Sequence, residues 1–136
     1  LPDFEPLPEN ITLHGYLGME EYRKVLASAD AAISSLALHR IRLEEASPLK
    51  SRECLAFGLP LIVAYIDTDL HDLKCDFLLK IPNKEDNIQS HPKAIREFAY
   101  RMRGMRVDRS QIIRLDSVSK ETDRISFFNK NTGVSK

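Results

Sequence analysis

The sequence predicts an α/β fold, a parallel β-sheet with flanking helices. Three observations predict it. Short apolar runs at 11-ITLHG-15, 30-DAAISSLAL-38, 61-LIVAY-65 and 75-CDFLLKI-81 alternate with helical stretches at the spacing of βαβ units. Glycine and proline punctuate the joins, at Gly15, Gly58 and Pro60. The helical stretches gather their apolar residues on one side.

Each element has its own justification. Residues 1–10 carry three prolines and read as an extended lead-in. Residues 11–14 form a short strand that ends at Gly15. In 19-MEEYRKVLASA-29, Tyr22, Val25, Leu26 and Ala29 recur at i, i+3, i+4 and i+7, which makes one apolar helical face. The second strand, 30–38, is largely apolar, as expected of a strand buried on both faces. The segment 39-HRIRLEEA-46 is charged and reads as a loop. Ser47 offers an N-cap and Pro48 suits the first helical position. That helix runs to about Phe57, where Gly58 suits the C′ position and Pro60 prevents resumption. Residues 61–65 and 75–81 are the third and fourth strands, joined by a loop at 66–74. A helix over 92–103 places Ile95, Phe98, Ala99 and Met102 on one side. Residues 104–111 break the pattern. A last helix over 119–130 has a weak stripe of Ile125 and Phe128, and the final NKNTGVSK reads as frayed.

Composition narrows the function classes. The 136 residues suffice for one modest domain with a core. The hydrophobic share of 43% and charged share of 29% suit a globular chain. Twenty basic residues balance twenty acidic ones, which argues against a general nucleic-acid binder, where a basic excess is expected. No apolar run reaches the ~18 residues that span a bilayer; the longest, 59-LPLIVAYI-66, suits a buried strand. The opening LPDFEPLPEN lacks the pattern of a signal peptide. It begins with leucine, which reads as a piece of a longer or processed chain. Cys54 and Cys75 lack zinc-site spacing and read as buried thiols in a reducing compartment, hence a cytoplasmic location. Arg101, Arg103, Arg106 and Arg109 form a basic cluster, read as a solvated face. The alternative is contact with the anionic inner face of a membrane, for which the sequence has no second feature.

In an open parallel sheet, ligands bind beyond the carboxyl ends of the strands. Two segments reach that edge here, the turn 14-HGYLG-18 and the stretch 39–50. Lys50 is the odd residue. It sits in the first turn of a helix, where the dipole disfavours a cation by a few tenths of a kcal/mol. An anion held between the free backbone N–H groups and the ammonium would offset that cost, with Ser47 as a hydroxyl donor. The other reading is a lysine that points to solvent. Glu45 and Glu53 suit a polyhydroxylated ligand, because a carboxylate can accept two hydrogen bonds from a vicinal diol. Glu53 faces inward if Arg52 faces water, and then needs a partner; an ion pair with Lys50 one turn away is the alternative. His14 reads as a strand-end hydrogen-bonding residue. His39, Arg40 and Arg42 form a basic loop read as solvated surface, with ligand contact as the alternative. His71 and His91 sit in polar loops.

Glu45, seven intervening residues and Glu53 resemble the paired-glutamate motif of the retaining glycosyltransferases of family four. The run 10-NITLHGYLGMEEYRKVLASADAAISSL-36 is similar to that family's strand, glycine turn, helix and alanine–aspartate entry to the next strand. The run 47-SPLKSRECLAFGLPLIV-63 resembles its motif helix with the following Gly, Pro and apolar strand. The likeness covers residues 9–65 closely and the rest in general shape. It implies a Rossmann-like sheet, part of the donor-binding domain of the two-domain GT-B fold. Residues 1–116 would be the partial nucleotide-sugar-binding domain, and residues 117–136 a C-terminal helix and tail that reaches toward the acceptor domain.

The resemblance also implies roles. Glu53 would hold the ribose hydroxyls, and Glu45 the hydroxyls of the transferred sugar. Ser47, Pro48 and Leu49 would face the diphosphate with their backbone, beside Lys50. Gly15, Tyr16 and Leu17 would lie by the base. Glu45 and Lys50 would be the catalytic pair. The donor would be a UDP- or GDP-linked sugar, with no essential metal and no cofactor. The acceptor is unspecified, and its domain would belong to the same parent chain. The sequence departs from the family where Ala46, Ser47 and Pro48 follow the first glutamate, a place where many relatives have glycine. It also lacks the earlier βα units that carry a basic phosphate-binding pair. The expected function is therefore that of a donor-binding piece of a hexosyltransferase-like enzyme of polysaccharide biosynthesis. The alternatives are a non-catalytic Rossmann-like binding module and a sugar-nucleotide epimerase fragment.

Overall fold

The computed structural model of the chain describes residues 7–133. The expected lead-in at 1–6 and the end of the expected tail at 134–136 lie outside the described residues.

Helix α1 spans Met19–Ser28. Its N-cap, Gly18, donates its backbone N–H to Glu21 Oε2 at 3.2 Å, the reach-back half of a capping box. Leu26 and Ala29 pack against the core, as their spacing predicts. Strand β1, Ala32–Ile33, then enters the sheet. A 3₁₀ turn over Leu38–Ile41 leads to β2, Glu45–Ala46, and helix α2, Leu49–Ala56. Strands β3, Leu61–Val63, and β4, Ile66–Asp67, follow, and then β5, Leu78–Lys80. Helices α3, Pro92–Met102, and α4, Ser117–Thr132, complete the order, with a 3₁₀ helix over Arg109–Leu115 between them. Among the described residues no helix is long and apolar enough to cross a membrane.

The main sheet is parallel, in the order β1-β3-β5. Ala32 lies opposite Leu61, and Leu61 opposite Leu78. β3 has a partner on each edge, and Leu61, Ile62 and Val63 are all buried. That is why its sequence is continuously apolar rather than alternating. A second, two-stranded parallel pair joins β2 to β4, with Glu45 opposite Ile66. The core gathers Leu55, Leu59, Leu70, Phe77, Phe98 and Met102 around β3.

The exit from α2 is a Schellman motif. Leu59 N–H donates to the Cys54 carbonyl at 2.9 Å and Gly58 N–H to the Leu55 carbonyl at 2.8 Å. Gly58 has φ +74, and a Cβ there would lie 3.3 Å from Arg106 Cδ.

Several expectations change. Residues 11–14 form no strand. A strand needs a hydrogen-bonded neighbour; here Ile11 N–H donates locally to the Pro8 carbonyl at 2.9 Å, and Ile11 and Leu13 are exposed. The expected strand over 30–38 shortens to β1. It lies at an edge of the sheet, so Ile33 is 52% exposed instead of buried. The N-cap of α2 is Pro48, in extended backbone, and not Ser47. In α3, Phe98 and Met102 are buried as expected, but Ala99 is exposed. Ile125 and Phe128 are exposed on α4, which has no buried residue. Residues 129–132 are helical rather than frayed, and Gly133 ends the helix at φ +67.

Candidate functional site

The start of α2 is open. Pro48 supplies no side-chain cap, so the first N–H groups of the helix have no side-chain acceptor. Lys50 is exposed and belongs to none of the ion pairs found among the described residues. Leu49 is 85% exposed. An anion can reach both the helix terminus and the ammonium at this place.

Beside the buried Ser51, Cys54 and Leu55, the charged side chain that α2 turns inward is Arg52. Its guanidinium grips both oxygens of Asp67, with Nη2 2.6 Å from Oδ1, and it donates to Asp69 Oδ2 at 2.5 Å and to Ser47 Oγ at 2.9 Å. Asp67 is fully buried. Ser47 Oγ donates in turn to Asp69 Oδ2 at 3.2 Å, which is why it does not cap the helix. Lys120 of α4 also binds Asp69. Burial pushes the Asp69 carboxyl up, but hydrogen bonds from Lys120 and Arg52, with their charges, outweigh it and hold it at about 2.

This network overturns the premise that Arg52 faces water and Glu53 faces inward. Successive helical residues differ by ~100°, so an inward Arg52 turns Glu53 to the flank beside α1. There Glu53 is exposed and its Oε2 accepts the Tyr22 hydroxyl at 3.0 Å. Burial, followed by the hydrogen bond to Glu53 and its charge, raises the Tyr22 phenol. Lys50 does not take the place of Tyr22 in an ion pair with Glu53. α1 begins directly after the turn of Gly15, Tyr16 and Leu17, whose Tyr16 is fully exposed.

Glu45 goes elsewhere. It lines a hollow of about 110 Å³ with Ile66, Thr68 and His71. Its neighbour Glu44, which directly precedes β2, lines a larger hollow of about 410 Å³ that shares Ile66 and His71. Glu53, Lys50 and the turn at 15–17 line neither hollow. The structure groups Glu53 with the α1 flank and Glu45 with the β4 side.

Other features lay beyond the sequence reading. Ser34, Ser51 and Tyr65 bring three buried hydroxyls into a closed triangle with edges of 2.7, 2.9 and 2.7 Å. Three hydroxyls carry three protons for three bonds, so the triangle is self-satisfying. It ties the ends of β1 and β3 to the first turn of α2. His39 and Arg40 pair with Glu85, and hydrogen bonds from Arg40 and His39 hold that carboxyl at about 2. Asn83 stitches the same loop, donating to the Leu43 carbonyl at 2.8 Å and accepting from His39 N–H at 3.0 Å. No short-range pattern announces such contacts, since the partners stand 14 to 46 positions apart. Cys54 is a buried free thiol and Cys75 a half-buried one, and burial raises both.

The fold and its open carboxyl edge define a Rossmann-like α/β protein, with parallel strands flanked by helices. No protein-family model, curated protein or solved structure matches the chain.

Proposed function

We propose that the chain is the donor-binding part of a glycosyltransferase that moves a sugar from a UDP- or GDP-linked donor to an acceptor held by another domain of the parent protein. The observation that carries this reading is the open start of α2 beside the exposed Lys50, at the ligand-binding edge of a parallel sheet. The backbone of Pro48, Leu49 and Lys50 faces the diphosphate, while the Ser47 hydroxyl stays with Asp69. Glu53 takes the ribose diol. Its place on the α1 flank supports this role, because the turn of Gly15, Tyr16 and Leu17, proposed to meet the base, leads into the same helix. Glu45 takes hydroxyls of the transferred sugar. Lys50 stabilises the charge that develops on the departing nucleoside diphosphate. The separation of Glu45 from Glu53 favours the second reading, a non-catalytic nucleotide-binding module.

Calorimetric titration with UDP, GDP and ADP tests the proposal. Weak binding is expected, with no sugar transfer by the chain alone. Glu53→Ala costs about 1–3 kcal/mol of donor binding through unpaired ribose hydroxyls, and Lys50→Ala weakens binding of every nucleoside diphosphate alike. Binding of none of the three, or binding indifferent to both substitutions, refutes the reading.

A further inference from the structure

Another hollow, of about 110 Å³, lies between α2, the 3₁₀ helix over Arg109–Leu115 and the start of α4. Its walls are apolar, built by Ala56, Ile112, Ile113 and Leu115. Ile112 belongs to the buried core, while Ile113 is exposed. Three charged side chains line the hollow as well, Arg52, Arg109 and Asp116. It shares no lining residue with the hollows of Glu44 and Glu45.

The three charges differ in what they already hold. Arg52 commits Nη1 and Nη2 to Asp67, Asp69 and Ser47, where two carboxylates offset its charge. Its Nε–H has no acceptor among the described residues. The Arg109 guanidinium has neither a hydrogen bond nor an ion pair among the described residues. Asp116 accepts the Ser119 N–H with Oδ1 at 2.8 Å. That hydrogen bond, against burial that pushes the other way, lowers the Asp116 carboxyl, and the charge of Arg109 adds to it. Asp116 is therefore ionised at neutral pH, and a carboxylate has room for further donors.

What remains uncommitted describes the ligand. The hollow offers the Arg109 guanidinium, the Arg52 Nε–H and the Asp116 carboxylate around an apolar slot. An anion alone would meet Asp116, and a cation alone would meet Arg109. A wholly apolar ligand would cover both charges and leave them without partners. A nucleotide is too large, since sites for ligands of that size begin near ~300 Å³. A small molecule with both charges at one end and a compact apolar body at the other satisfies every group. An apolar cavity of about 150 Å³ holds benzene, so this hollow suits a branched side chain of roughly four carbons. The geometry points to a site for a free α-amino acid with a branched apolar side chain. Its carboxylate lies on Arg109 and Arg52 Nε, its ammonium on Asp116, and its side chain between Ala56, Ile112, Ile113 and Leu115. The site is separate from the start of α2 and does not rest on the donor reading.

The test is titration of the isotopically labelled 136-residue chain with L-leucine, followed by amide shifts. Two half-ligands serve as comparisons: 4-methylpentanoate, which is leucine without the ammonium, and 3-methylbutylamine, which is leucine without the carboxylate. L-leucine is expected to give saturable millimolar shifts at Ala56, Ile112, Ile113 and Leu115. Each half-ligand should bind about tenfold more weakly, because it lacks one charge-assisted contact. Arg109→Gln and Asp116→Asn should each weaken leucine binding about tenfold for the same reason. Both variants should stay folded, since asparagine still caps the helix and the Arg109 guanidinium has no partner among the described residues to lose. Glu97→Gln on α3 leaves the binding unchanged. Nucleoside diphosphate would instead shift Leu49 and Lys50, so the two sites succeed or fail separately. No saturable shift with leucine overturns the inference. So does a half-ligand that binds as tightly as leucine, or leucine binding that either variant leaves intact.

Discussion

Arg52 and Lys50 sit two positions apart on one helix and have opposite fates. Arg52 is enclosed because two carboxylates and a hydroxyl surround its fork, a geometry that a guanidinium fits and an ammonium does not. Removing it would leave the Asp67 carboxylate buried without its partner. Arg52→Ala is therefore expected to destabilise the chain by roughly 3 kcal/mol, read as a lower urea midpoint. Lys50→Ala touches no ion pair of the described residues and should change stability by no more than about 0.5 kcal/mol. Similar midpoints for both variants would show that the network is not structural.

Asp69 adds a pH dependence at the same scale. Its folded value of about 2 lies below the ordinary carboxyl value, so the folded state binds a proton less readily than the unfolded one. Its stabilisation is fully present above about pH 4 and is lost as the pH falls through about 2. Glu85 titrates over the same window, so Asp69→Asn is the comparison that isolates Asp69. Denaturant midpoints between pH 5 and pH 2, on the order of one-unit steps, should fall more steeply in the parent chain than in the variant.

Among elements, α2 and α4 show what holds a helix in place. α2 buries Ser51, Cys54 and Leu55 and ends on Gly58 in the left-handed region. Gly58→Ala forces an L side chain to φ +74 and sets its Cβ against Arg106 Cδ. A loss of roughly 1–2 kcal/mol is expected, visible as a lower thermal midpoint; an unchanged midpoint would mean that the turn relaxes freely. α4, by contrast, buries no side chain and is tied at its start by the Asp116 cap to Ser119 N–H and by Lys120 to Asp69.

For the whole molecule, this difference sets the order of local opening. The amides of β3 should exchange only with global unfolding, because that strand is enclosed on both edges and both faces. The amides of α4 should exchange far sooner. Hydrogen exchange that finds equal protection in both elements would contradict this ordering.

How much was legible in the sequence follows the range of the interactions. α1, α2, β3 and α3 could be read because their signals are local: helical spacing, a Gly58–Pro60 stop and a continuous apolar run. The strand expected at 11–14 has an equally good local pattern, yet forms none, because a strand is a pairing and not a property of one segment. At the candidate site the sequence singled out individual residues, Glu45, Lys50 and Glu53 among them. Their grouping was not legible, because it depends on how α2 is rotated.

By itself, then, the sequence determined the class of fold, the parallel arrangement of its inner strands and the odd cation at the start of α2. These rest on periodicity, glycine and proline geometry and the helix dipole, all of which act over a few residues. The tertiary structure alone decided that Arg52 and not Glu53 turns inward, that Ser47 serves Asp69 instead of the helix, and that Glu44 and Glu45 open onto different hollows. The physical reason is common to all three. Each outcome depends on a partner supplied from a distant part of the chain, Asp67 and Asp69 for Arg52 and Ser47, and β4 for the two glutamates. Only the folded chain brings those partners within reach.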